Sequence, residues 1–409
     1  MDRRWTQVVA AAFFINTSYG TLSYSFSVLV TDKAAGGEFG TTTVSIGFGL
    51  ALLISGAAAL VAGTIADLSG SRRLMAAGSV AGALGLVLLS QCQSGWQMLL
   101  VMAIFIGPAM AATFYEPVYV LMNRWFDASS RPRAYGVLTL VSGFSITIFT
   151  PLTNALVEGA GWRVAVACLG GILLVIGVGI PLLVLHEPRA PVSGHRTSAA
   201  AMLRQTFEGI REGNARFWTF TLAFFAANAA FSGFSFHMVA QLESRGFAPA
   251  DVANVVAVAG ILSLPARLIL PALSGRAPTS ALLPACVALL GLAAIIASIA
   301  GAWWQVWIYI IVFGAVFGAL YPLRALATSE RFSGEYYGRL LGTQALFVAV
   351  SRALGPAAIG AFVGAGGSYV FSFRVAAAIL FASTIVIAAV LRLPPAGEAV
   401  LDAPSLTVR

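Results

Sequence analysis

"GTIADLSGSRR", residues 63–73, closes one long apolar run and opens the next. A glycine is followed four residues later by an aspartate, one helical turn on, and then by a second glycine and two adjacent arginines. Charges of this kind are costly to hold in an apolar setting, so the turn belongs at a water boundary or where helices must be tied together. Its meaning depends on what flanks it.

The flanks are lipid-like. The 409-residue chain is 59% hydrophobic and 10% charged, with mean hydropathy +0.88, whereas soluble domains carry about 25% charged residues. Apolar runs of about 20 residues, enough to cross a ~30 Å hydrocarbon core, are read at 5–31, 43–66, 74–91, 97–122, 135–157, 163–185, 216–241, 252–273, 279–300, 303–326, 339–364 and 369–392. Twelve spans follow. The first continues to Val30 without a clear cleavage site and is read as a retained helix.

The net charge of +8 gathers in alternate turns, at Arg72, Arg73, Arg124, Arg131, Arg133, Arg276 and Arg331, while the intervening loops and their edges offer Lys33, Arg163, Arg245 and Arg374. This asymmetry places both termini in the cytoplasm. Basic stretches are not interleaved with aromatics, so no nucleic-acid partner is expected. Cys92, Cys168 and Cys286 stand singly, without metal or disulfide spacing; no metal or other cofactor is expected. The polar stretch 186–215 reads as a cytoplasmic linker between an N-terminal bundle (1–185) and a C-terminal bundle (216–393), with a cytoplasmic tail at 394–409.

The two halves echo each other. "GWRVA" (161–165) returns as "SFRVA" (372–376), "ADLSGSRR" (66–73) as "PALSGRAP" (271–278), and "FYEPVYVLMNRWF" (114–126) aligns with "LYPLRALATSERF" (320–332), placing Tyr115 on Tyr321. The three offsets agree at roughly 205 to 211 residues, as a duplicated six-helix unit requires.

With these residues in view, the turn at 63–73 resembles the signature loop of the major facilitator superfamily, between helices two and three. The resemblance implies an all-α membrane protein of twelve transmembrane helices in two pseudo-symmetric six-helix bundles. It also implies that Asp67 caps a neighbouring helix, and that Gly63, Gly70, Arg72 and Arg73 belong to the cytoplasmic gate. The family often carries a basic residue directly after the aspartate; here Leu68 stands there, so one gate contact is missing.

Few ionisable residues lie away from the span ends: Glu116 (span four), Arg267 (eight), Arg324 (ten) and Arg352 (eleven), with His237 in the outer part of span seven. A charge at mid-bilayer costs from about 2.5 to more than 10 kcal/mol. In the major facilitator arrangement, helices 1, 4, 7 and 10 line the cavity and 2, 5, 8 and 11 close it, so all five residues sit on cavity-side helices. Three arginines against one glutamate leave +2, which attracts anions. Arginine pairs with a carboxylate through two charge-assisted hydrogen bonds. Cations on helices eight and eleven are similar to those of the oxalate/formate antiporter group, which hold both ends of a dicarboxylate. A lone arginine on helix eight resembles the monocarboxylate transporters, as does "NRWFDASSRPRAYGVLTLVSGFSITIFTPLTNALVEGAGWR" (123–163).

Arg267 and Arg352 are therefore the candidate anion ligands, joined by Tyr321, Tyr115, Tyr119 and Asn16, with Tyr19 and Tyr24 as further cavity tyrosines. Arg324, nearer the cytoplasmic end, serves the gate, by snorkelling or by pairing with Glu116. Glu116, between Tyr115 and Pro117, is a proton carrier or an arginine partner. His237 is a proton-linked ligand, as on helix seven of some monocarboxylate carriers, or a packing residue. The leading function is a secondary transporter of small organic anions, by proton symport or anion exchange, working as a monomer in a bacterial inner membrane. The alternative is a proton-driven efflux pump for drugs or amphipathic metabolites. An enzyme would need a nucleophile–base or metal constellation that the three scattered histidines do not offer, and an ATP-driven pump a phosphate-binding loop that is missing.

Overall fold

The computed structural model describes residues 3–30, 34–187, 214–274, 276–332 and 337–393. The linker expected at 186–215 falls mostly, and the tail at 394–409 wholly, outside the described residues. Twelve rods cross the molecule: α1 (3–29), α2 (Thr41–Ser69), α3 (Ser71–Gln91), α4 (Gly95–Trp125), α5 (Arg131–Ala160), α6 (Trp162–Val184), α7 (215–244), α8 (Pro249–Leu273), α9 (Thr279–Ile299), α10 (Trp303–Phe332), α11 (Tyr337–Gly364) and α12 (Tyr369–Arg392). Among the described residues ten are long and apolar enough to cross a membrane, and α8 adds the shorter apolar helix Val258–Leu273. Leu183, Val175 and Ile385 on the outer surface stay more than 70% exposed, as side chains facing lipid do and a soluble surface avoids. The chain is a multi-pass membrane protein.

Several rods outrun their apolar runs. α10 continues to Phe332 and α4 to Trp125, because backbone hydrogen bonding carries a helix through polar ends that hydropathy leaves out. Others are broken inside. α1 passes through a π turn at Gly20–Tyr24, α4 through another at Met102–Ile106 and an extended residue at Phe114, and α7 bends at His237.

The packing carries the internal repeat. In the N-terminal half α3 lies on α6 and α2 on α4; in the C-terminal half α9 lies on α12 and α8 on α10. Between halves the extensive contacts are α2 with α11 and α5 with α8. Exchanging the halves, helix n for helix n+6, turns one contact into the other. The helix joins at Arg72, Arg124, Arg131, Arg276 and Arg331 all fall at one end, called the basic end below.

Candidate functional site

The halves meet by hydrogen bonds at and below mid-membrane on the basic side. At the α2–α11 crossing a Cβ on Gly63 would lie 2.2 Å from the Gly338 carbonyl oxygen, so only glycine lets the backbones touch. One turn on, the Asp67 carboxylate accepts from Gly338 N (3.1 Å) and Arg339 N (3.0 Å), filling donors that the start of α11 leaves open. Arg131 of α5 donates to Ser329 Oγ of α10, Ser329 Oγ donates to Asn123 Oδ1 (2.6 Å), and the Tyr135 and Tyr337 hydroxyls share a bond of 3.1 Å. Thr139 Oγ1 reaches the Arg267 carbonyl at 3.4 Å. No inter-half hydrogen bond is seen toward the far end among the described residues. Among the described residues the hydrogen bonds between the halves thus gather toward the basic end.

The turn at 63–73 is braced by residues that its own pattern does not reveal. Gly70 sits at φ 90°, and a Cβ there would come within 2.4 Å of the Glu187 carboxylate. Glu187 Oε1 accepts from Ser71 N (3.1 Å) and from Arg124 (2.6 Å), whose second nitrogen reaches the Ala66 and Asp67 carbonyls. Arg72 donates to the Pro181 and Leu182 carbonyls at the end of α6, within its own half. Arg73 is exposed, with no hydrogen bond or ion pair among the described residues. The contact between halves in this loop is thus made by Asp67 and not by its arginine pair.

Above these bonds, α4 breaks at Phe114 (ψ −160°) and restarts at Tyr115. Pro117 explains the restart, since a residue without an N–H fits a helix's first turn. The restart also puts Glu116 in that first turn, where a negative charge suits the helix dipole. Across the cavity Arg324 of α10, with 2% of its side chain exposed, meets Glu116 Oε1 at 3.5 Å and Gln344 Oε1 at 3.4 Å. Arg324 is thereby a partner of Glu116, one of its two expected roles. Its Nε has no partner, so this buried cation is held by long contacts.

Arg267 lies where α5, α8 and α10 converge. A Cβ on Gly318 would be 3.0 Å from its Cγ, and one on Gly143 3.5 Å from its Nε, so two glycines make the slot for the side chain. Its Nε is buried and unpartnered, and its guanidinium forms no hydrogen bond or ion pair among the described residues. Its charge acts on Tyr115, whose hydroxyl is 2.6 Å from Ser142 Oγ. Arg352 is exposed, likewise without hydrogen bond or ion pair, and interacts electrostatically with Tyr321, Tyr19, Tyr24 and Glu116. Glu116, the acidic group at this depth, is already engaged by Arg324. Two cations are left without a counter-ion.

The other expected ligands divide. The Tyr321 hydroxyl donates to Asn228 Oδ1 (3.0 Å), and Asn228 Nδ2 to Ser351 Oγ (2.7 Å), beside Arg352. Tyr119 is 1% exposed and packs between Tyr115 and Tyr135, its hydroxyl buried without a partner. Asn16 donates to the Val141 carbonyl at 3.2 Å and its own carbonyl accepts from Ser145, which ties α1 to α5. His237 stands apart, its Nε2 3.0 Å from the Pro356 carbonyl and its ring beside Tyr369. Asn228, Ser142 and Gln344 are site residues that sequence reading missed. A polar residue within an apolar span was the available signal, but Ser and Asn also satisfy their own backbone, so the signal is weak.

Comparison with known proteins bears on the family and the fold. The sequence matches the Major Facilitator Superfamily over residues 8–356. Monocarboxylate transporter 13 of Rattus norvegicus is 26% identical over 384 residues, 93% of this chain and 87% of that protein. Monocarboxylate transporter 4 of Gallus gallus is 25% identical over 402 residues, 95% of this chain and 83% of that protein. Among solved structures, the human organic anion transporter MFSD10 superposes with a TM-score of 0.73 at 13% identity, covering 95% of this chain and all of that one. FucP in its outward conformation superposes with a TM-score of 0.73 at 13% identity, covering 95% of this chain and 99% of that one. The last two speak to the fold.

Proposed function

The chain belongs to the Major Facilitator Superfamily, a family of transporters and not of enzymes, and from that premise we propose that it moves small organic anions, mono- or dicarboxylates, by alternating access. The observation that carries this reading is the pair Arg267 and Arg352, two cations facing a cavity whose glutamate is already paired. Arg267, half-buried with its Nε buried and unpartnered, and the exposed Arg352 both lack a protein counter-ion among the described residues, so the arrangement makes sense when the missing anion is supplied by substrate. The names of the relatives support the same class. Arg267, in its glycine slot, is the principal carboxylate ligand. Arg352 takes a second carboxylate or steers the first, and Tyr321, Tyr115, Tyr119 and Asn16 shape the walls.

The basic end is read as cytoplasmic by its arginines, and the bonds between the halves gather there, which makes this state outward-open in a monomer of the inner membrane. Opening toward the cytoplasm requires the Asp67 cap on α11 and the Glu116–Arg324 pair to part. Glu116 then exchanges its arginine for a proton, the step that couples symport; in anion exchange it remains a fixed charge. His237 is a secondary candidate for the proton. Gly63, Gly70, Arg72, Arg73 and Arg324 serve closure of the basic end. Uptake of labelled pyruvate, lactate, malonate and oxalate into proteoliposomes tests the reading. It expects at least one of these to enter saturably in the wild type and not in Arg267→Ala. Transport of lipophilic cations with no carboxylate uptake would favour efflux.

A further inference from the structure

α1 does not cross as a regular helix, and the irregularity falls at the cavity. The α-helix Arg3–Tyr19 gives way to the π turn Gly20–Tyr24, closed by Ser25 N donating to the Gly20 carbonyl at 3.0 Å. In an α-helix residues five apart point about 140° away from each other. The wider turn brings Tyr19 and Tyr24 toward one face, with ring centroids 6.1 Å apart. The turn packs closely on α5: a Cβ on Gly20 would stand 2.1 Å from the Phe149 ring, so only glycine fits there. Thr21 and Ser25 meanwhile turn their hydroxyls onto the Thr17 and Thr21 carbonyls. Single π turns of this kind recur at functional sites.

The two tyrosines extend into an aromatic wall. Tyr19 stacks on Phe114 at 3.8 Å with planes 15° apart and meets Tyr115 at 5.1 Å. Tyr19, Tyr24 and Tyr115 are all half-buried. Arg352 interacts electrostatically with Tyr19 and Tyr24, and Arg267 with Tyr115. The Tyr115 hydroxyl is used by Ser142, but those of Tyr19 and Tyr24 have no hydrogen-bond partner among the described residues. Tyrosines that serve only packing usually satisfy their hydroxyls. Here flat π surface and free donors stand beside the two unpaired cations.

We propose that the substrate is a carboxylate carried on a flat aromatic or conjugated ring, its carboxylate held by the arginine pair and its ring against the Tyr19–Tyr24 face. The proposal rests on the organic-anion reading and narrows it. A ring lying there gains aromatic contact that an aliphatic body of the same size cannot make, and the free hydroxyls can serve a polar ring substituent.

The test is binding of benzoate and of cyclohexanecarboxylate, equal in charge and carbon count but not in flatness, with pyruvate alongside. Full-length wild type, Tyr19→Leu, Tyr24→Leu and Tyr24→Phe are compared by calorimetry. The expected result is benzoate binding the wild type roughly threefold to tenfold tighter than cyclohexanecarboxylate, the range an aromatic pair is worth. That ratio should fall toward one in both leucine variants and persist in Tyr24→Phe. Equal affinity of the two ring acids for the wild type, or a ratio unchanged in both leucine variants, overturns the proposal. Pyruvate binding without either ring acid also overturns it, but leaves the organic-anion reading standing. No binding by any of the three overturns the proposal, and the organic-anion reading falls with it only if malonate and oxalate also fail to bind. The wild-type ratio decides even where a variant fails to fold.

Discussion

The seam at the basic end and the cavity above it are built from the same residue types and treat charge in opposite ways. In the seam Asp67 is answered by two backbone donors of α11, Arg131 by Ser329 and Glu187 by Arg124. In the cavity Arg267 and Arg352 interact electrostatically with tyrosines and have no hydrogen bond or ion pair among the described residues. A polar group whose partners are all protein reports on which conformation is held. One without protein partners reports on what the protein binds. By this criterion Arg324 belongs to the seam although it borders the cavity, since Glu116 and Gln344 engage it.

The largest effect is expected where the cavity lacks a partner. Arg267→Ala should cost about 2–5 kcal/mol of anion binding, the range for truncating one side of a buried charged contact. That corresponds to a loss of roughly thirtyfold to several thousandfold in anion affinity, read as lost uptake in proteoliposomes. Arg267→Lys should not restore it, because a point charge cannot replace the planar fork. Arg352→Ala should match this loss for a dicarboxylate and fall well short of it for a monocarboxylate, so the ratio of the two variants reads how many carboxylates are held.

Next comes the bridge between the two regions. Glu116→Gln strips Arg324 of its counter-ion and should lower thermal stability by roughly 2 kcal/mol. This is below the about 3–5 kcal/mol of a fully buried pair because Glu116 keeps 22% of its side chain exposed. Glu116→Gln/Arg324→Gln should be more stable than Glu116→Gln alone. If the double variant is the weaker, Arg324 does not depend on Glu116 and belongs with the unpaired cations.

A smaller effect is expected from Asp67→Asn, which keeps an acceptor at the start of α11 but loses the charge, worth about 1 kcal/mol. Spin-label distances across the basic end should show a several-fold gain of the separated state with substrate affinity little changed. The smallest is His237→Ala. Its one hydrogen bond, to the Pro356 carbonyl, is worth about 1 kcal/mol, and the pH profile of uptake should not move. A flattened profile would transfer proton coupling from Glu116 to His237.

The twelve spans, the basic end and the helix carrying each buried charge were legible in the sequence, because hydropathy and periodicity report depth and repeat. The capping role of Asp67 was legible only through resemblance, since nothing in residues 63–73 names Gly338 and Arg339 as its partners. Glu187 and Arg124 escaped for the same reason. They brace the turn from 116 residues downstream and from the end of α4, and separations of that kind leave no local pattern. The π turn of α1 escaped too, because apolar periodicity does not distinguish one wide turn within a helix. Sequence already set Arg267 apart as a candidate anion ligand and gave Arg324 to the gate, by snorkelling or by pairing with Glu116. Which of them was already paired depended on Glu116 and Gln344 meeting across the halves.

The most direct measurement is the thermal stability of purified wild type and Arg267→Ala over a panel of small carboxylates at tens of millimolar. A ligand that binds only the folded protein stabilises it in proportion to RT ln(1 + [L]/Kd), so even a millimolar binder registers. The account predicts that some carboxylates raise the wild-type midpoint and leave the variant unmoved. Equal shifts in both proteins, or shifts from lipophilic compounds alone, would contradict it and return Arg267 to the structural charges of the seam.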